Sequence, residues 1–524
     1  MNEVELKLSV SSENLAKALA RADCADFSVE DEKTKKLVSI YFDTPDKRLK
    51  KASTTLRIRN TGSGLVQTLK VGTGLTRGLS NTREFEVPTE NTEPDLALIE
   101  DESVRASVAE LLNGSEIVAR FETRIDRVAR DFVRGPATEI EVAFDNGKAV
   151  AKSIEQEICE IELELKSGPV EELYILAGQI LGDIPFNFSK QSKAEIGHAL
   201  ADCLEADEEL SWSIEATTAG KIALGQSETA EDALVSILSS CLTQIAGNRA
   251  SLIQHANNDR IEFTHQMRVG LRRFRSALKV YESLIGSTAL SEMGREAQRL
   301  ATYLGNLRDL DVMATDIIGP LDDLRPEGIE FTDLLKALDS ARDAVREDVI
   351  KQLETERANH LILQLARFIQ TREWRQSLNT EILEALDMPA REFANYAIQK
   401  RWKACAKRAK HLEKLTIEER HDLRKALKKL RYCIEFFKSL YDKEQTAVFI
   451  KSLKQLQDVF GYLNDVAMTD RLVAMDLPAA ETKHPLLPAI GFVAGWHKAR
   501  ADHAWEDAQD RWKELKETPR FWRD

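Results

Sequence analysis

Over residues 1–200, charged and apolar side chains alternate, and the charged set is ionised in both signs. In an extended chain residues i and i+2 point to the same face. Glu3, Glu5 and Lys7 therefore share a face, as do Arg57 and Arg59, and Glu84 and Glu86. The same holds for Arg120, Glu122 and Arg124, for Glu139 and Glu141, and for Glu160, Glu162, Glu164 and Lys166, while Lys70 ends a further segment, Gln67-Thr68-Leu69-Lys70. The opposite faces carry Val4, Leu6, Ile58, Phe85, Phe121, Ile125, Ile140, Val142, Ile161 and Leu163. An antiparallel sheet with one solvated face would satisfy the alternation, but such a face is usually rich in Thr, Ser and Gln. The alternative is a closed barrel whose apolar faces are covered from outside by the helical stretches near 12–22, 95–113 and 169–182, with the charges turned inward.

Charges at that density are tolerable inside a barrel only when paired or metal-bound. Arg and Lys walls can take phosphate oxygens through charge-assisted bonds, and carboxylate walls can hold Mg²⁺ or Mn²⁺. The chemistry implied is that of a polyanion bridged by divalent cations. No phosphate-binding GxxxxGK[ST] loop, Ser-His-Asp set or Cys-His pair is evident in this half.

These segments resemble the CYTH family, the triphosphate tunnel metalloenzymes. Glu3-x-Glu5-x-Lys7 matches the family's opening signature. In family order follow Tyr41-Phe42-Asp43-Thr44-Pro45-Asp46, Leu56-Arg57-Ile58-Arg59, Gln67-Thr68-Leu69-Lys70, Arg83-Glu84-Phe85-Glu86, Arg120 and Arg124, Glu139-Ile140-Glu141 with Asp145, and Glu162-Leu163-Glu164. The resemblance implies an α+β domain over 1–205, an eight-stranded antiparallel tunnel that hydrolyses triphosphates with Mg²⁺ or Mn²⁺. It implies Glu3, Glu5 and Lys7 as catalytic, and Lys7, Arg57, Arg59, Lys70, Arg120, Arg124 and the late lysine Lys193 on the phosphates. It implies Glu3, Glu5, Glu141, Asp145, Glu162 and Glu164 as metal ligands.

From about residue 228 the period becomes helical, after a linker over 206–227 that mixes acidic, Ser, Thr and Gly residues. The helical half repeats itself. His265-Gln266-Met267-Arg268 to Arg275 aligns with His421-Asp422-Leu423-Arg424 to Arg431 at an offset of 156, and the same offset carries Leu304-Gly305-Asn306-Leu307-Arg308-Asp309 onto Phe460-Gly461-Tyr462-Leu463-Asn464-Asp465. Two motifs at one offset indicate duplication, so two helical bundles related by an approximate twofold are expected. His265, Arg268, Arg272 and Arg275 share a helix face by their 3–4–3 spacing, and His421, Arg424, Lys428 and Arg431 repeat it. Residues 400–432 alone carry net charge +9 in a chain whose total is −14.

The repeats resemble the CHAD domain, a helical module with family histidines at His265 and His421, over 228–515. The resemblance implies inorganic polyphosphate as partner, held by His265, Arg268, Arg272, Arg273, Arg275, His421, Arg424, Lys428, Lys429 and Arg431. Histidine titrates near neutral pH and would bind an anion better when protonated.

The expected activity is metal-dependent hydrolysis of inorganic triphosphate, with polyphosphate binding by an all-α second domain. Adenylate cyclase or thiamine-triphosphatase activity, and a non-catalytic polyphosphate-binding role, remain open. The acidic total and the lack of aromatics interleaved with the basic stripe disfavour nucleic acid. A start without a basic-then-apolar leader, no run of about 18 apolar residues, and six widely spaced cysteines point to a cytoplasmic chain with no membrane partner.

Overall fold

The computed structural model describes residues 2–21, 26–206, 215–254, 261–285, 288–377, 379–475 and 486–523. The chain divides into two compact units, one of residues 1–215 with 354–367, the other of 216–353 with 368–524.

The first unit contains, in order, β1 (Asn2–Ser9), α1 (Ser12–Ala20), β2 (Ser28–Asp43), α2 (Arg48–Lys51), β3 (Thr54–Asn60), β4 (Leu65–Thr76), β5 (Leu79–Thr89), α3 (Glu102–Leu112), β6 (Val118–Arg134), β7 (Thr138–Ala151), β8 (Ile154–Ser167), α4 (Glu171–Leu181), β9 (Asn187–Phe188) and α5 (Lys193–Ala206). The strands run β5-β4-β3-β2-β6-β7-β8-β1, and β1 also pairs with β5, so eight antiparallel strands close on themselves; the two-residue β9 is appended to β1. Closure removes the sheet edges and makes an inside.

The register says which face is inside. Glu5 lies opposite Ser80 and Glu164, Glu164 opposite Glu141, Asp145 opposite Glu160 and Arg127, Arg127 opposite Lys35, Ser39 opposite Arg59, Arg57 opposite Thr68, and Lys70 opposite Glu84. Directly paired residues project to the same side, so all of these share one face. Apolar residues of the other face pack outward: Leu56 and Leu69 meet Ile99 and, on α3, Val104, Val108 and Leu112. Local signals set the helices. Ser11 caps α1 by accepting from the Asn14 amide, and Asp101 caps α3 by accepting from Ser103 and Val104.

Helix α5 fills part of the interior. Leu37, Tyr41, Phe121, Ile125, Ala149, Ala151 and Ile158, on the inner face by register, pack with Ala194, Leu200 and Ala201 of α5. Gly197 makes this possible, since a Cβ there would lie 2.0 Å from the Phe121 ring. Segment 354–367 also belongs to this unit, where the Asn359 amide donates to the carbonyls of Gly182 and Ile184 at 2.7 and 2.8 Å.

The second unit is helical: α6 (Ala230–Gln254), α7 (Ile261–Tyr281), α8 (Thr288–Val312), α9 (Thr332–Leu353), α10 (Glu356–Thr371, whose first residues belong to the first unit), α11 (Thr380–Asp387), α12 (Ala390–Arg408), α13 (Ile417–Phe437), α14 (Lys443–Ala474) and α15 (Leu487–Glu517). The duplication is visible in the backbone. The Ala230 amide donates to the Met388 carbonyl, and the Ala390 amide donates to the Glu228 carbonyl. Adding 160 to the donor and subtracting 160 from the acceptor of the first bond gives the second, the signature of an approximate twofold. Thr416 and Glu419 form a full capping box on α13. Trp505, Trp512 and Trp522 are buried, with Trp512 stacked on Trp402. Among the described residues no helix is long and apolar enough to cross a membrane.

Candidate functional site

Two ionic clusters face each other inside the barrel. In the first, Lys193, on the first turn of α5, reaches Asp145 at 2.9 Å and Glu160 and Glu162 each at 2.7 Å. Arg127 donates through Nε and Nη2 to both Asp145 oxygens at 2.7 and 2.6 Å, and through Nη2 to Glu162. Lys7 contacts Glu162 at 2.7 Å and Glu5 at 2.9 Å. Burial alone would raise the Asp145 and Glu162 carboxyls. Lys193 and Arg127, joined by Lys7 at Glu162, overcome it and hold both below the usual carboxylate range.

In the second cluster Arg57 lies 3.4 Å from Glu84 and 3.7 Å from Glu86, and Lys70 lies 3.0 Å from Glu84. Thr68 donates to Glu86 at 3.0 Å. Arg59 is different. Its one hydrogen bond among the described residues goes to the Ser39 hydroxyl at 3.1 Å. Burial, then the nearby Arg57 and Arg127, pull its guanidinium down to about 10. Burial opposes ionisation of Tyr41, yet Arg57 and Arg59 bring its phenol below the ordinary value. The Tyr41 ring stacks on Phe121 at 4.6 Å, which fixes the phenol beside the two arginines.

The carboxylates suited to a divalent cation form a row. Glu5, Glu164 and Glu141 are cross-strand neighbours on β1, β8 and β7, a juxtaposition of like charges that wants a cation. Lys166 lies 2.7 Å from Glu164 and 4.0 Å from Glu141. Asp145 and Glu162, expected as metal ligands, are instead engaged by Arg127 and Lys193, and among the described residues no preformed cluster of three ligating side chains occurs. The Glu3 backbone pairs with β5, but its side chain lies outside the described residues.

Two expected phosphate ligands are elsewhere. Arg124 lies opposite Val38 and Lys148 on the outer face, pairs with Glu122 and is more than half exposed. Arg120 falls in a bulge, because Tyr41 opposes Phe121 while Phe42 opposes Ala119. Its guanidinium reaches Glu205 of α5 at 2.6 Å. Arg127, Glu160 and Tyr41 are interior groups to which the alternation assigned no role. Arg127 lies on the opposite face from Arg124, three residues on, and only its register with Asp145 places it inside.

In the helical unit α7 and α13 bring the repeated stripes together. Arg272 and Arg308 lie close enough to His265, and Arg272 close enough to Arg424 and Lys428, to oppose the charge on each. Arg268 lies over Gly305, where a Cβ would stand 3.4 Å from its Nε and Nη2. Burial first, then Arg424, Arg272 and Arg431, bring the Lys428 ammonium down to about 7 against the opposing Asp465. Burial and neighbouring cations also push His265 and His421 below the usual imidazole value. Arg273 is core: 3 % exposed, it donates to Gln244 and Ser240 of α6 at 2.7 and 3.0 Å. Arg431 is tied to Gln457 and Glu435. Arg275 and Lys429 belong with a different group of cations, on α7, α12 and α13. Arg308, Asp309 and Asp465, inside the repeated motif, join the groove although the motif served only to reveal the duplication.

Residues 1–185 match the CYTH domain and residues 236–474 the CHAD domain. Over 209 residues the chain is 34 % identical to an inorganic triphosphatase of Haemophilus influenzae, covering 38 % of this chain and 55 % of that protein. It is 26 % identical over 357 residues to an uncharacterised protein of Mycobacterium tuberculosis, covering 65 % and 64 %. The chain thus spans between about half and two thirds of the length of these relatives. Among solved structures, the CHAD domain of Ricinus communis aligns at TM-score 0.48 and 26 % identity over 58 % of this chain and 97 % of that one. A Hippeastrum adenylyl cyclase homologue described as having a dominant triphosphatase activity aligns at TM-score 0.30 and 21 % identity over 40 % and 99 %. The closed barrel lined with paired charges is accordingly the part of the chain that matches the CYTH domain, and the duplicated helical unit with its shared basic face is the part that matches the CHAD domain.

Proposed function

We propose that the barrel is a metal-dependent triphosphatase acting on inorganic triphosphate and that the helical unit binds inorganic polyphosphate. Arg59 carries the barrel reading. It is a half-buried cation beside Arg57 and Arg127, with a hydroxyl as its hydrogen-bond partner among the described residues, and a phosphate oxygen would supply a countercharge. Arg57, Arg59, Lys70 and Arg127 face one lumen and would grip successive phosphates, while Lys7 and Lys193 hold Glu162 in place. Phosphoanhydride hydrolysis asks mainly for such positioning and charge neutralisation. Mg²⁺ or Mn²⁺ fits the Glu5–Glu164–Glu141 row and, when bound, would neutralise phosphate charge and polarise water. Away from the apolar packing around α5, the described lumen-facing residues are mostly charged, which suits triphosphate better than a nucleotide or thiamine ester.

A phosphate-release panel with triphosphate, ATP, thiamine triphosphate and polyphosphate, each with Mg²⁺ and Mn²⁺, tests this. Triphosphate should be the best substrate, and Glu5→Gln should lower its turnover roughly a hundredfold or more. Full activity in Glu5→Gln would sink the assignment, cyclic product from ATP would favour the cyclase, and binding without turnover would leave a polyphosphate-binding protein. A separate expectation concerns Arg273. Arg273→Met should cost about 1–3 kcal/mol of stability, because Gln244 and Ser240 lose a buried partner. Polyphosphate affinity measured by anisotropy should stay unchanged.

A further inference from the structure

The basic face of the helical unit is not symmetric. On one side of the groove Arg275 and Lys279 of α7, Arg401 and Arg408 of α12, and Lys429 of α13 converge. Arg401 ties α12 to α7 by donating to the Lys279 carbonyl at 2.7 Å. Lys429 is lowered by burial first and then by Arg401, Arg408, Lys279 and Arg275, with no carboxylate among these influences. Glu282 pairs with Lys279 and lies near Arg401.

The twofold counterpart is closed. By the 160-residue relation that joins the starts of α6 and α12, Arg401 and Arg408 correspond to Cys241 and Asn248, both fully buried. By the 156-residue relation of α7 and α13, Lys429 corresponds to the core residue Arg273. Lys279 corresponds to Glu435, which is paired with Arg431. One side of the twofold thus keeps five cations, two from the first repeat and three from the second, where the other side has packed or neutralised the equivalent positions. Arg275 is one turn from Arg272 on α7 and feels its charge, so the five continue the twofold groove. From His265 to Lys279 the track runs about 21 Å along α7, longer than the twofold groove alone requires.

We propose that Arg275, Lys279, Arg401, Arg408 and Lys429 form a second oligophosphate subsite, continuous with the groove through Arg272, so that a chain long enough to reach both is held more tightly than one that fills the groove alone. This rests on the reading of the helical unit as a polyphosphate binder. Arg408 and Lys429 are exposed, so Arg408→Gln with Lys429→Gln should leave the fold intact, checked by helical circular dichroism and thermal unfolding.

Affinity is measured on the full chain, in chelator to suppress turnover, for a short and a long size fraction of inorganic polyphosphate across a salt series. The double variant should bind the long fraction about tenfold more weakly with a shallower salt slope, and the short fraction as wild type does. Arg272→Gln with Lys428→Gln should weaken both fractions. An unchanged affinity for the long fraction, an equal loss for both fractions, or a loss confined to single-stranded RNA would overturn the subsite while leaving the groove standing. A wild-type chain that binds neither fraction would overturn the polyphosphate reading, and the subsite with it.

Discussion

Arg127→Met is expected to abolish triphosphate hydrolysis and to destabilise the barrel, whereas Arg124→Gln, three residues away on the same strand, is expected to do neither. Arg127 is the shared partner of Asp145 and Glu162, and Asp145 is fully buried. Removing one member of a buried ionic set leaves charge without compensation, at a cost of about 3–5 kcal/mol. The loss also has a pH signature. Both carboxyls are depressed in the folded chain, so they stabilise it above the ordinary carboxylate range, and that contribution disappears as pH falls through their lowered values. Without Arg127 their titration moves up, and the acid limb of the stability curve should begin at higher pH. The effect on turnover is separate, because Arg127 also contributes to the positive potential around Arg59; removing such a preorganised group costs roughly 100–1,000-fold. Phosphate release and thermal unfolding across pH, on the same preparations, measure both. Equal losses in the two variants would mean that the inner face of β6 has been misassigned.

That pair of residues also marks where the sequence stops being legible. Glu5-x-Lys7 and Arg57-x-Arg59 lie on strands with charge on one face only, and there alternation and the observed register agree on the lumen. Strand β6 carries charge on both faces, with Glu122, Arg124 and Asp126 on one and Arg127 and Asp131 on the other, and a bulge at Arg120 interrupts its phase. Periodicity says which of these residues share a side. Only pairing with β2 and β7 says which side is inside. The choice among the carboxylates of β8 has a similar cause. Glu160, Glu162 and Glu164 share a face, but the reach of Lys193 from α5 selects the first two, and α5 owes its depth to the absence of a side chain at Gly197. In the helical unit the twofold was readable from a constant offset, whereas the fate of each cation was not. Arg273 is one position from Arg272 and about 100° around the helix, which turns it from the groove into the core.

Polyphosphate affinity is expected to fall as pH rises above about 7, and Lys428 is the group responsible. Its neighbours on α13 are Arg424 and Arg431, on α7 Arg272 and His265, and on α14 Asp465. Burial and the arginines oppose its charge, Asp465 favours it, and the balance brings the ammonium to about 7. A bound polyanion reverses the balance by adding negative charge beside Lys428, so the bound form holds the proton to higher pH. The free chain is protonated below about 7 and binds without having to take up a proton. Above that value binding must import one, and affinity should drop by up to about tenfold per pH unit until the raised value of the bound state is reached. His265 and His421 lie below the histidine norm and contribute only on the acidic side of this window. Lys428→Arg separates the explanations, because arginine stays charged throughout. That variant should bind at pH 8 about as well as at pH 6.5, while the wild type loses roughly tenfold over the same interval. Isothermal titration in two buffers of different ionisation heat adds an independent count, about one proton taken up per site at pH 8 by the wild type and none by Lys428→Arg. A pH dependence that survives in Lys428→Arg would move the switch to another group and reject this assignment.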